Sequence, residues 1–165
     1  MRKWIFSSLF SATAVLMAPQ VMAEKGVCEM VKPTVENIRA NLHAQYLPNF
    51  IPVVVNSEKE LGLSAEQCQA FNQFRKEKAV VGKELVEKIN KMEQESHDLA
   101  LNGASLDEIK ARHTQIAEAR AKLIEGKMKC HQFIKNTLTE AQYTQLVNDV
   151  YPKRRAMAME KVNGK

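Results

Sequence analysis

Leu63-Ser64-Ala65-Glu66-Gln67 and Leu138-Thr139-Glu140-Ala141-Gln142 are two copies of one pattern, Leu-Ser/Thr-x-x-Gln, 75 positions apart. Their reading decides the fold. A Ser or Thr ahead of a helix accepts a hydrogen bond from the N–H three residues on, and a Gln there reaches back to the cap's own N–H. The Leu before each cap can staple onto the fourth helical residue, Cys68 in one copy and Tyr143 in the other. Glu66 and Glu140 add negative charge in a first turn, where the helix dipole favours it. Both copies are therefore helix starts, and their likeness predicts a repeated helical architecture.

Outward from the first copy, Phe71, Phe74, Val81, Leu85, Met92 and Leu99 follow a 3-4 spacing, interrupted by Lys78, Lys88 and Glu95. This predicts one long amphipathic helix. Gly82 permits a bend, and Asn102-Gly103 supplies a left-handed end. Ser105-Leu106-Asp107-Glu108 is a third capping box. It opens a second long helix carrying Leu106, Ile109, Ile116, Leu123, Ile124 and Met128 to about Asn136. The two form an antiparallel hairpin. A hairpin alone lacks a second layer for its apolar face, so shorter helices and dimerisation are expected to cover it. Thr34 to Tyr46 has helical composition. Phe50 to Leu61 reads as a short helix, although Val53-Val54-Val55 has strand propensity. The last helix, opened by Thr139, is expected to bend or end at Pro152.

The N-terminus carries export chemistry. Arg2 and Lys3 precede an apolar stretch from Trp4 to Met17, and Val21-Met22-Ala23 offers a cleavage site before Glu24. The stretch is short for a membrane span, which needs about 20 residues. Residues 1–23 are read as a signal peptide, 24–49 as an arm and short helix, 50–151 as a helical domain and 152–165 as a basic tail. Removing 1–23 takes away two basic and no acidic residues, so the net charge falls from +5 to +3. Such mild excess argues against a nucleic-acid partner, and Lys153-Arg154-Arg155 reads as a solvated cluster.

Cys28, Cys68 and Cys130 enter an oxidising compartment, so one disulfide and one leftover thiol are expected. No Cys-x-x-Cys exists, and position 127, ahead of Cys130-His131, is Lys, which excludes covalent haem. Cys68 and Cys130 lie at the same end of the hairpin, 35 and 27 residues from Gly103. The mismatch is about 12 Å of helix rise. A bend at Gly82 or an interruption before Leu101 would close it, and Cys68–Cys130 ranks first. Cys28, on the arm, could reach either partner or another chain. For metal, no two of His43, His97, His113 and His131 share a helix face. Met128, Cys130 and His131 form a weak soft-ligand set. No nucleophile–base pair, phosphate loop or carboxylate pair marks an enzyme, and no cofactor is indicated.

An exported small helical protein with LSAEQ and LTEAQ motifs at this spacing, linked by Leu106 to Met128, resembles the Spy/CpxP family of periplasmic proteins. The likeness covers roughly Phe50 to Tyr151 and departs only at Ser64, where Thr is usual. It implies an all-α, cradle-shaped antiparallel dimer with no enzymatic activity. The family includes ATP-independent chaperones for partly unfolded clients, envelope-stress regulators and metal-responsive members. The motif residues Leu63, Ser64, Gln67, Leu138, Thr139 and Gln142 are read as helix caps. A periplasmic client-binding role is expected, with metal-responsive and signalling-adaptor roles as alternatives. The client-binding residues are not specified by the sequence.

Overall fold

The computed structural model describes residues 26–164, so the expected signal peptide lies outside the described residues. Within them every regular element is helical and no strand occurs. Thr34 caps α1 (Val35–Ala44) by accepting from Asn37 N–H. The Phe50–Leu61 stretch splits into α2 (Phe50–Val55) and α3 (Glu58–Leu61), so the valines are helical. Gly62 then ends α3 at φ +59°, a left-handed conformation that costs glycine little.

All three capping boxes form. Ser64 opens α4 (Ala65–Leu101), Ser105 opens α5 (Leu106–Thr137) and Thr139 opens α6 (Glu140–Gln145), each with side-chain and backbone bonds in both directions. α4 has 37 residues and α5 has 32, roughly 55 and 48 Å of helix. They pack as the antiparallel hairpin, turned by Gly103 at φ +77°.

The end of the chain differs from expectation. Pro152 lacks an N–H and crowds the carbonyl four residues back. The chain answers with one wide π turn, Leu146–Val150, in which Tyr151 N–H donates to Leu146 O five residues away. Regular geometry then resumes as α7 (Tyr151–Val162). What read as a solvated tail is a docked helix. Arg154 donates to Ser57 Oγ and Asn56 O, both at 3.1 Å. Glu60 pairs with Lys153 and Arg154, and Arg39 reaches Val162 O at 2.7 Å.

Two apolar clusters hold the hairpin. At its open end Phe71 and Ile134 meet Val54, Val55, Leu146 and Val150, with Phe133 stacked on Phe74. Nearer the turn Val86, Ile89 and Met92 meet Ile116, Ala119, Leu123 and Ala44 of α1. Between them, among the described residues, α4 buries no apolar side chain: Val81, expected in the seam, is 56% exposed. The cause is phase. A regular helix turns about 100° per residue, so Val81 stands about 80° from Phe71. Gly82 and Ile89 lie within about 20° of it, and Ile89 is fully buried. A strict 3-4 repeat drifts about 20° per heptad against a straight helix, which carries Val81 off the buried face while Phe71, Phe74, Leu85 and Met92 of the same repeat stay in the two clusters.

Candidate functional site

The two motifs meet at the open end of the hairpin, and their glutamines clasp each other. Gln67 Oε1 accepts from Ser64 N–H at 2.9 Å, while Gln67 Nε2 donates to Thr137 O at 2.9 Å and Gln142 Oε1 at 2.8 Å. Gln142 mirrors this. Its Oε1 accepts from Thr139 N–H at 2.9 Å, and its Nε2 faces Gly62 O at 3.1 Å, Leu61 O at 3.2 Å and Gln67 Oε1 at 3.2 Å. Thr137 and Gly62 each stand two residues before a cap, so the contacts are related by the 75-residue repeat. Each Gln closes its own box and ties down the carbonyl that leads into the other. The capping hydroxyls hold Glu66 and Glu108 below the usual carboxylate range, with Ser64 and Ser105 as the largest causes. Leu63, Cys68, Leu138 and Tyr143, the four staple residues, all belong to the open-end cluster.

The disulfide joins Cys28 to Cys68, with Cα atoms 4.7 Å apart, and Cys130 is a free, half-buried thiol. The expected Cys68–Cys130 pairing is therefore corrected. α4 has no interruption before Leu101 to remove the offset between the two long arms. The arm is also held closely. Glu58 accepts from Val27 and Cys28 N–H, each at 3.0 Å. Asn72 accepts from Glu29 N–H and donates to Val27 O, and Asn56 makes the same two-way contact with Val31. Glu29 pairs with Arg75 and Lys76, and the Lys76 hydrogen bond is the largest cause keeping its carboxyl below the usual range. The sequence did not point to Glu58, Asn56 and Asn72, because nothing in their spacing refers to a segment 25 to 45 residues away.

The remaining weak metal candidates point to different tasks. Met128 is exposed, and Cys130 borders the open-end core. His131 places Nε2 2.8 Å from Pro48 O and its ring beside Phe50, with centroids 4.9 Å apart. A carbonyl only accepts, so this nitrogen carries the proton. Lys127, four residues after the buried Leu123 on α5, donates to Asn49 Oδ1 at 2.8 Å. Burial lowers its ammonium pKa and raises that of the Cys130 thiol, so Cys130 is a poor nucleophile. The seam phase carried a signal for Lys127 that the apolar pattern hid. Among the described residues, the cysteine, histidine and acidic side chains close enough to share a metal ion are Cys28, Glu58 and Cys68.

On the turn-side half, a groove of about 360 Å³ runs between α4 and α5. Leu85, Met92 and Ala119 form its floor, of which Met92 and Ala119 are themselves buried, and Lys88, Arg112, Lys122, Gln115 and Glu118 form its polar rim, with Arg112 paired to Glu95. Val80, Val81, Leu101, Leu106 and Met128 are exposed on the same hairpin. No helix among the described residues is long and apolar enough to cross a membrane. Comparison with family models, curated proteins and solved structures finds no match.

Proposed function

We propose that this chain is a periplasmic, ATP-independent chaperone or envelope-stress protein that binds partly unfolded clients. It works without catalysis or a cofactor, as an exported homodimer of the Spy/CpxP type. The observation that carries the reading is the groove between α4 and α5, a small apolar floor with a polar rim in which Lys88, Arg112 and Lys122 outnumber the acid Glu118. Unfolded segments offer apolar side chains and, in acidic proteins, negative charge. A surface that attracts through long flexible cations and holds through modest apolar area binds many sequences without locking onto one. The motif pair supports this by fixing the hairpin's open end, and Val80 and Val81 stand exposed on the long arm beyond it. Resemblance of LSAEQ and LTEAQ to the family motif supports it independently.

The test is suppression of aggregation of several unrelated denatured proteins by the purified protein without nucleotide. Suppression that weakens in the Lys88→Glu/Lys122→Glu variant supports the reading. Failure on every client at a twofold excess of chaperone, together with saturable binding to one sensor domain, would establish the adaptor role instead. Sedimentation should give twice the chain mass, and a clean monomer would remove the dimer.

A further inference from the structure

We propose that Cys28, Cys68 and Glu58 form a binding site for a thiophilic divalent cation of the zinc class when the Cys28–Cys68 disulfide is reduced. The two sulfurs and a Glu58 carboxylate oxygen lie within 4.8 Å of one another, and both cysteines are buried. Two thiolates and one carboxylate from a buried corner are a donor set suited to zinc, with a fourth position left for water.

The geometry survives loss of the S–S bond because the bond is not what holds the arm. Val27 and Cys28 donate to Glu58, Asn72 and Asn56 each bind the arm's backbone in both directions, and Glu29 pairs with Arg75 and Lys76. Cys68 is fixed in the first turns of α4 against the core. Reduction therefore leaves two thiols facing each other beside a carboxylate that is already oriented. The Cys28 N–H bond sits on the same carboxylate that would bind the ion, so the oxygen is held by its neighbour's backbone while its remaining lone pairs stay available. Zinc–sulfur bonds of about 2.3 Å in tetrahedral geometry separate the sulfurs by about 3.8 Å.

The chemistry balances in two steps. An external dithiol reduces the disulfide by exchange: its two thiols lose two electrons and become a disulfide, and Cys28 and Cys68 become thiols. The cation then bonds both sulfurs and displaces their two protons to solvent. In the oxidised protein Cys28 and Cys68 offer no thiolate and the site is absent, so cation affinity follows the redox state of this one pair.

The experiment compares the purified protein oxidised and after reduction and anaerobic desalting, with Co²⁺ as the spectroscopic probe and Zn²⁺ as competitor. The reduced protein should bind one equivalent with a thiolate-to-cobalt charge-transfer band and release close to two protons at pH 7, and Zn²⁺ should displace the cobalt. The oxidised protein should show no band. Cys130→Ser should bind as the parent does, Cys68→Ser should lose the band, and Glu58→Gln should bind at least tenfold more weakly with its helical circular dichroism retained. Absence of the band in reduced protein, release of fewer than one proton, loss of binding in Cys130→Ser or parent-like affinity in Glu58→Gln would each overturn the proposal. Proton release is read on the parent protein and so decides the matter even where Glu58→Gln fails to fold.

Discussion

Replacing Gln142 by alanine should destabilise the protein more than replacing the capping hydroxyl of Thr139. Capping logic alone expects the reverse, because the hydroxyl satisfies the helix and the Gln merely returns the favour. The structure gives Gln142 three further tasks. Its Oε1 serves the Thr139 N–H and the Gln67 amide, and its two N–H groups serve carbonyls of Leu61 and Gly62 and the Gln67 oxygen. Two donors can satisfy two of those three acceptors at once, so the side chain makes about four bonds. A typical net contribution is about 1 kcal/mol per bond, discounted here because the site is only half-buried. Gln142→Ala should cost about 2–3 kcal/mol, against about 0.5–2 kcal/mol for Thr139→Ala. Gln142→Glu keeps the acceptor but turns a carboxylate oxygen toward the Leu61, Gly62 and Gln67 oxygens, and that repulsion should make it cost at least as much as alanine. The sharper measurement is the double-mutant cycle with Gln67→Ala. Each single change already removes the shared bond, so the double variant should cost about 1 kcal/mol less than the sum. Urea unfolding of the oxidised protein, with equal m-values across the set, reads these differences directly. Additivity within about 0.3 kcal/mol, or a Gln142→Ala cost below that of Thr139→Ala, would refute the clasp.

Peptide mapping without reductant should recover a Cys28–Cys68 cross-link and free Cys130. Closing that 40-residue separation contributes about 4 kcal/mol in the chain-entropy model, so reduction should lower the urea midpoint, and an unchanged midpoint would count against it. The seam phase predicts that Ile89→Ala costs about 2–5 kcal/mol while Val81→Ala stays within about 0.5 kcal/mol; comparable losses at both sites would show the phase to be wrong. Glu108, held down by Ser105, has a folded pKa below its unfolded value of 4.5. Its contribution is therefore complete above that value and disappears as pH falls through the folded one. Ser105→Ala should raise the Glu108 pKa in an NMR titration, and an unmoved titration would deny the hydroxyl its role.

The helix starts, the hairpin and its turn were legible along the chain. Ser64, Ser105 and Thr139 act on N–H groups three residues away, and Gly103 acts on its own backbone, so each decision is complete within a few neighbouring residues. Length then follows, because α4 and α5 run from one such signal to the next. Tertiary structure alone decided the rest. Gln67 meets Gln142 across 75 residues, and nothing in either motif says that its amide has hydrogens to spare for the other. Cys28 reaches Cys68 because Glu58, Asn56 and Asn72 fasten a segment that has no helical pattern of its own. The helix beyond Pro152 persists because Arg154 finds Ser57 and Glu60, turning an apparent tail into a docked element. Local hydrogen bonds are fixed by spacing along the chain, whereas these contacts depend on which surfaces the packed hairpin brings together, and spacing carries no record of that.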